Sequence, residues 1–195
     1  MTHILPPNQY EPPKIIRQRY MDGITSLLIQ EKPKVRSVYW DVNSKRRKLY
    51  LAFPYIISIL TFYAGKFNNL LLFYRSSPLN NPGEFVCYPN LPNIHPTGQV
   101  CLGRQDEVAV IRRKISHLPF HWQARKVLTY FWTSGFNSDL IEHHFLPWGS
   151  ICPQIATLDA WQRNTRRDPP FILRIKWDQR RAGRASEIME TAPYL

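Results

Sequence analysis

The sequence predicts an α+β fold in which an N-terminal helix, an antiparallel meander sheet, an irregular loop and C-terminal helices follow one another. Apolar residues recur at spacings of three and four after residue 14 and again after residue 121, which is typical of helices with one buried face. Between them, runs of β-branched and aromatic residues alternate with turn residues, which is typical of antiparallel strands. A proline-rich stretch that fits neither pattern precedes the second helix.

The length predicts one domain with two extensions. Residues 1–13 hold four prolines and are expected to form an extended arm, residues 14–178 the domain, and residues 179–195 a polar, weakly anchored tail. A content of 44% hydrophobic and 13% aromatic residues excludes a disordered chain.

The first third of the chain predicts one helix and one strand. Spacings of three and four favour a helix from Lys14 to Gln30, which Lys32-Pro33 ends. Strict alternation predicts a strand from Val35 to Val42. Asn43-Ser44 and the basic run Lys45-Arg46-Arg47-Lys48 are expected to form the turn after it.

The next apolar stretch predicts two further strands. Leu49 to Tyr63 is too long for one ordinary strand, so we place a break near Pro54. Asn68 to Arg75 returns as the next strand after a turn at residues 64–66. The apolar stretch is shorter than the ~20 residues of a spanning helix and is rich in β-branched residues. We therefore predict buried strands and no membrane partner.

The last third predicts mainly helices. His121 to Phe136 has helical spacing, Ser138 is a candidate cap for another helix, and Leu158 to Arg163 is predicted to be a short one. Phe171 to Trp177 alternates and predicts a late strand. Residues 104–118 are charged and give no clear assignment.

The loop between these halves contains the strongest candidate for chemistry. Prolines 89, 92 and 96 exclude regular structure over residues 88–97, and Thr97-Gly98 allows a tight reversal. Val100 and Leu102 are expected to pack inward on either side of Cys101. A cysteine held in this way at the edge of a stiff loop is a candidate nucleophile.

This loop resembles the active-site loop of ubiquitin-conjugating enzymes. Seven residues match the family's pattern: Pro92, Asn93, Ile94, Gly98, Val100, Cys101 and Leu102. As in the family, seven positions separate the asparagine from the cysteine. Two positions depart from the family, because Leu91 stands where it has histidine and Gly103-Arg104 replaces the usual acidic residue. The combination is closer to the divergent bacterial conjugating-enzyme-like proteins, including protein B of the PRTRC systems.

The resemblance implies a function, a set of partners and no cofactor. It implies that Cys101 accepts a ubiquitin-like protein from its activating enzyme as a thioester and passes it to an amine. Asn93 would stabilise the oxyanion of that transfer, which one well-placed side-chain amide does by ~3 kcal/mol. The alternative interpretation makes Asn93 a turn residue that bonds its own loop. An inactive conjugating-fold module that serves as a scaffold is the alternative for the whole chain.

The other cysteines and the histidines give weaker signals. Cys87 and Cys152 are expected to be small buried hydrophobes, and three widely spaced cysteines predict no disulfide framework and a reducing compartment, the cytoplasm. A cysteine hydrolase would need a histidine partner for Cys101, for which five are candidates: His95, His117, His121, His143 and His144. Without paired cysteines nearby, these histidines predict no metal site.

A net charge of +12 predicts an anionic partner, either nucleic acid or an acidic protein surface. The charge is clustered in four places: residues 45–48, residues 112–114, residues 163–167 and residues 180–184. The residues predicted to contact such a partner are Lys45, Arg46, Arg47, Lys48, Arg112 and Arg113. No recognised nucleic-acid motif is present, so the sequence alone leaves the partner open.

Overall fold

The computed structural model describes residues 12–42 and 45–195, and most of the predicted arm therefore lies outside the described residues. These residues form a mixed α+β architecture with two antiparallel sheets. The strands are β1 Lys14–Met21, β2 Ile24–Glu31, β3 Lys34–Val42, β4 Lys45–Phe53, β5 Tyr55–Tyr63, β6 Lys66–Arg75, β7 Phe85–Cys87 and β8 Arg181–Arg184. The helices are α1 Gln105–Ile115, α2 Phe120–Thr133, α3 Phe145–Ile151, α4 Leu158–Arg167 and α5 Ala185–Thr191. One sheet has the order β1-β2-β5-β6-β7-β8, and β3 and β4 pair separately.

The predicted N-terminal helix is wrong, because this segment is the hairpin β1–β2. Asp22 and Gly23 form its turn with φ angles of 52° and 77°, the left-handed pair that an Asp-Gly turn of a two-residue hairpin requires. The spacing that imitated a helix comes from two adjoining strands. The turn signal, rather than the periodicity, was the informative feature.

The second hairpin, β3–β4, corrects the position of the basic run. Lys45 to Lys48 form the first half of β4, where Trp40 pairs with Arg47 and Val38 with Leu49, while Asn43-Ser44 lies outside the described residues. The predicted break is confirmed, since β4 ends at Phe53 and β5 begins after Pro54.

The central strands of the larger sheet are buried on both faces. One face joins the main core with α2, α3, α4 and the β3–β4 hairpin, and its strand residues include Leu27, Leu60 and Leu72. The opposite face joins a second core, which includes Leu28, Ile57, Ile59, Leu71 and Phe73. Strands covered on both sides have continuous apolar sequences, which explains why β5 lacks alternation. No helix within residues 12–42 and 45–195 is long and apolar enough to cross a membrane.

The C-terminal segment covers the second face, so the expectation of a weakly anchored tail is wrong. β8 pairs with β7, and α5 places Ala185 and Met189 in the second core with 0% and 2% exposure. The segment looked polar because it contributes only a few small or flexible apolar residues.

Two predicted elements before this segment are also corrected. Ser138 does not cap a helix, because Leu140 has a φ of 80° and the chain turns until α3 begins at Phe145. The predicted strand from Phe171 to Trp177 is instead two 3-10 helices, Pro169–Leu173 and Trp177–Arg180. The two prolines at the start of the first one fix helical φ angles.

Three helices complete the structure. The predicted second helix is confirmed as α2, and the predicted short helix is confirmed and extended as α4, with Thr157 as its cap. The unassigned charged stretch forms α1. Its acidic residues lie in the first turn and its basic residues in the last, an order that the helix dipole favours.

Candidate active site

The loop that carries Cys101 is attached to the part of β6 that does not pair with β7. The backbone amide of Val100 donates to the carbonyl of Leu70 at 2.8 Å, and that of Leu72 donates to the carbonyl of Gly98 at 3.0 Å. These bonds extend the sheet beside β6 by a few residues. The loop is therefore held by the sheet as well as by its prolines.

A tight reversal precedes the cysteine, as the sequence predicts. His95 donates its backbone amide to Gln99 at 2.8 Å, and Gly98 donates to His95 at 2.9 Å. Gly98 has a φ of 88°, and a Cβ atom at this position would lie 2.6 Å from a ring carbon of Phe73. Both the backbone conformation and the contact require glycine here.

Cys101 and Asn93 are brought together by the backbone. The amide of Cys101 donates to the carbonyl oxygen of Asn93 at 2.8 Å, and Asn93 has a φ of 60°, which asparagine tolerates better than most residues. Leu91 is 1% exposed. Apolar packing of Leu91 thus anchors the loop at the position where the resembling family has histidine.

The side chain of Asn93 has a structural role. Its Oδ1 atom accepts a hydrogen bond of 3.2 Å from the backbone amide of Asn137. The preceding residue, Phe136, pairs with β3 through its amide and carbonyl, which bond to Tyr39 at 2.8 Å and Asp41 at 2.7 Å. Asn93 therefore connects the cysteine loop to the segment after α2. Sequence reasoning did not identify Asn137 because nothing in its local pattern marks it.

The three thiols differ in exposure. Cys87 and Cys152 are buried, as the sequence predicts, and Cys101 is partly exposed. Burial and the negative charge of Asp178 raise the pKa of the Cys87 thiol to about 11. The positive charges of Arg75 and Arg181 act in the opposite direction. Burial also raises the pKa of the Cys152 thiol, whereas two backbone hydrogen bonds act to lower it.

No histidine in the described residues bonds the sulfur of Cys101, which makes no hydrogen bond to a described residue. The Nε2 atom of His143 lies 3.5 Å from the Oε1 atom of Glu142, and the ring of His121 packs beside that of Trp122. No group of three or more potential metal ligands occurs among the described residues.

His144 holds the loop instead of activating the thiol. Its Nε2 lies 2.9 Å from the carbonyl oxygen of His95, so the ring must donate from Nε2, and it stacks on Tyr88 with centroids 4.6 Å apart. Burial, together with the charges of Arg180 and His143, lowers the pKa of His144 to about 4. The hydrogen bond to His95 acts in the opposite direction. The imidazole is therefore neutral near pH 7. The sequence suggested only two roles for His144, a catalytic partner of Cys101 or a metal ligand, and gave no sign of this structural one.

The surroundings of the cysteine include an apolar groove. Arg104, which stands near the position of the family's usual acidic residue, donates a hydrogen bond of 2.9 Å to Asp106. A Cβ atom at Gly103 would lie 2.7 Å from Glu107 and 3.8 Å from Tyr130. These two residues line a groove of about 770 Å³ between α1 and α2. The groove thus begins beside the second residue after Cys101.

The predicted partner-binding residues lie on two separate elements. In β4, Arg46 donates to the carbonyl of Thr133 at the end of α2 at 3.2 Å, and Arg47 pairs with Asp159; Lys45 and Lys48 are exposed. In α1, Arg112 donates to the carbonyl of Asn68 at 2.7 Å. Arg113 is exposed. Some of these cations therefore also stabilise the fold.

No family model matches the chain, and neither a curated protein nor a solved structure matches it.

Proposed function

We propose that the protein carries an acyl group, the C-terminus of a ubiquitin-like protein, on Cys101 as a thioester and passes it to an amine. The observation that carries this proposal is the position of the thiol. Cys101 is partly exposed and its backbone amide is fixed on Asn93 at 2.8 Å. A relay needs a sulfur that a partner's acyl carbon can reach at a constant place.

The reaction has two steps. The thiolate of Cys101 attacks the thioester carbonyl on the activating enzyme, a new carbon–sulfur bond forms, and the donor sulfur leaves as a thiolate. An amine then attacks the acyl carbon, a carbon–nitrogen bond forms, and the Cys101 thiolate leaves while the ammonium proton passes to solvent. Each tetrahedral intermediate carries an oxyanion, which a side-chain amide such as that of Asn93 stabilises.

The absence of a base on the sulfur supports a carrier over a hydrolase. Among the described residues no imidazole or carboxylate bonds the Cys101 sulfur, and His144 is neutral and occupied by the carbonyl of His95. A hydrolase needs a base that also activates water. A carrier benefits from its absence because the thioester must survive until the amine arrives.

The order of elements gives partial support to a conjugating-enzyme-like fold. Antiparallel strands lead to an irregular loop with the cysteine, and helices follow, although β3 and β4 pair apart from the larger sheet instead of continuing it as a meander. The departure is at the start, where β1–β2 replaces the helix that the family places there. The finer fold relationship is therefore part of the proposal.

A scaffold without catalytic activity is the second candidate. The amide oxygen of Asn93 accepts from Asn137, and Leu91 fills the family's histidine position with 1% exposure. Both residues serve the loop's structure in this arrangement. A module of this kind would bind the ubiquitin-like protein without a covalent bond.

Charging with ATP distinguishes the two candidates. The protein is incubated with a candidate activating enzyme, its ubiquitin-like protein and ATP, and separated on a non-reducing gel. A carrier gives an adduct that thiols remove, that becomes thiol-resistant in Cys101→Ser and that disappears in Cys101→Ala. Cys152→Ser is the matched control and keeps the adduct. Binding without any adduct leaves the scaffold.

A further inference from the structure

The outer face of the β3–β4 hairpin combines basic and aromatic side chains. The register pairs Tyr39 with Lys48 and Asp41 with Arg46, which places these residues on the same side. On the other side, Val38, Leu49 and Leu51 are buried at no more than 1% exposure, and only the end of the hairpin, at Arg47, is exposed. We call Tyr39, Arg46, Lys48 and Tyr50 the basic aromatic face.

The cations of this face lie against its rings. The guanidinium carbon of Arg46 is 4.3 Å from the Tyr39 ring centre. The ammonium of Lys48 is 6.0 Å from the Tyr39 ring and 5.5 Å from the Tyr50 ring. Tyr50 is 40% exposed, and Lys48 forms no ion pair with a described residue. An exposed ring thus lies beside a cation whose charge is not offset.

Helix α4 extends the positive charge beside this face. Tyr50 donates its backbone amide to Gln162 at 3.0 Å, and Ala52 donates to Thr165 at 2.9 Å, so α4 lies along the open edge of β4. Three arginines of α4 are exposed: Arg163, Arg166 and Arg167. Together, β4 and α4 hold seven lysines and arginines and one acidic residue.

We propose that this surface binds single-stranded nucleic acid. Unpaired bases stack on exposed aromatic rings, and flanking cations neutralise the phosphates. An acidic protein surface would use the cations but gain nothing specific from the ring of Tyr50. A duplex presents its phosphates but keeps its bases stacked internally. The site is separate from Cys101 and does not depend on the proposed relay.

The first experiment measures affinity and its salt dependence in the full chain. A fluorescent oligothymidylate of about 20 nucleotides is titrated by anisotropy, with total salt between about 50 and 200 mM. Lys48→Gln is expected to reduce the slope of log affinity against log salt by about 0.7, the value for one phosphate contact of a single strand. Arg163→Gln with Arg166→Gln is expected to reduce it by up to about twice as much.

Tyrosine variants test stacking separately from charge. Tyr50→Leu keeps apolar bulk on the hairpin and is expected to weaken binding by about tenfold, whereas Tyr50→Phe keeps the ring and the affinity. Arg113→Gln with Lys114→Gln on α1 removes the same charge as the α4 pair and is expected to leave the affinity within about twofold. Circular dichroism verifies that each variant is folded.

Four results would overturn the proposal. The first is no binding of the oligothymidylate at the lowest salt, and the second is tighter binding of the matching duplex than of the single strand. The third is binding of polyglutamate with the same affinity as the oligothymidylate, and the fourth is an equal loss of affinity in Tyr50→Leu and Tyr50→Phe. Polyglutamate binding that is insensitive to Tyr50 would assign this surface to an acidic protein.

Discussion

The backbone amide of Cys101 donates a hydrogen bond of 2.8 Å to the carbonyl oxygen of Asn93. The cysteine is therefore positioned by the left-handed backbone of Asn93, whose φ is 60°, while the Asn93 amide group bonds Asn137. Backbone and side chain of one residue thus serve two purposes. Substitutions that change them separately can distinguish structure from catalysis.

Asn93→Gly and Asn93→Ala form such a pair. Glycine keeps the left-handed backbone and loses the bond to Asn137, so we expect about 1 kcal/mol less free energy of unfolding. Alanine adds about 1–2 kcal/mol of backbone strain. If the amide stabilises the oxyanion, both variants discharge acyl groups to an amine about 100-fold more slowly, with a smaller effect on loading. Wild-type discharge by the folded glycine variant would assign Asn93 to structure alone.

Gly98→Ala should destabilise the protein more than Gly65→Ala. Both glycines have positive φ angles, 88° and 80°, so each substitution costs about 1–2 kcal/mol of backbone strain. Only at position 98 would the new Cβ approach Phe73, at 2.6 Å, whereas nothing lies within 4 Å at position 65. Urea unfolding should show a further loss of about 1–3 kcal/mol for Gly98→Ala. Equal losses would mean that the loop moves away from Phe73 freely.

Iodoacetamide should label Cys101 before the other two thiols. Cys87 and Cys152 are buried and burial raises the pKa of each, so both the access and the thiolate fraction are reduced. We expect Cys101 to react at least about tenfold faster, measured by peptide mass spectrometry. In guanidinium all three should react at similar rates. Earlier labelling of Cys87 or Cys152 in the folded protein would contradict the described burial.

Acid should weaken the fold through His144. The pKa of His144 is lowered from its ordinary 6.5 to about 4 in the folded chain, so between these values the unfolded chain binds a proton that the folded chain does not. The free energy of unfolding should therefore fall as the pH falls through this window and stay level above it. Urea unfolding at several pH values measures the slope.

Two variants isolate this contribution. His144→Gln keeps a side-chain donor for the carbonyl of His95 but does not titrate, and its stability should fall less between pH 6.5 and 4. Leu146→Gln, at an exposed position two residues after His144, removes no titratable group and should keep the wild-type slope. An unchanged slope in His144→Gln would mean that other groups cause the acid sensitivity.

The sequence predicted those elements whose local signal and tertiary environment agree. Pro54 divides two strands because it cannot donate in a sheet, and α2 has one consistent apolar face. The helix predicted from Lys14 to Gln30 was wrong because two adjoining short strands have apolar residues at helical spacing. The strand predicted from Phe171 to Trp177 was wrong because two prolines start a 3-10 helix there, which the alternation of apolar residues does not reveal.

The sequence predicted only those parts of the site that lie within a single loop. The prolines, Gly98 and Cys101 lie within one loop, so their spacing carried the prediction. Asn137 and His144 reach this loop from the segment after α2, 44 and 49 residues away from Asn93 and His95. Contacts across such distances depend on how the helices pack, and no local pattern records them.

Acyl exchange onto Cys101, followed by discharge to an amine, distinguishes a carrier from a scaffold without any partner protein. A short peptide ending in Gly-Gly is supplied as a mercaptoethanesulfonate thioester, which is small enough to reach any partly exposed thiol, and free lysine is added after the excess is removed. We expect one peptide adduct by intact mass, located on Cys101. It should be removed by dithiothreitol, be absent in Cys101→Ala, and be discharged to lysine faster than to water. No adduct, or an adduct that survives in Cys101→Ala, would contradict the proposed carrier function.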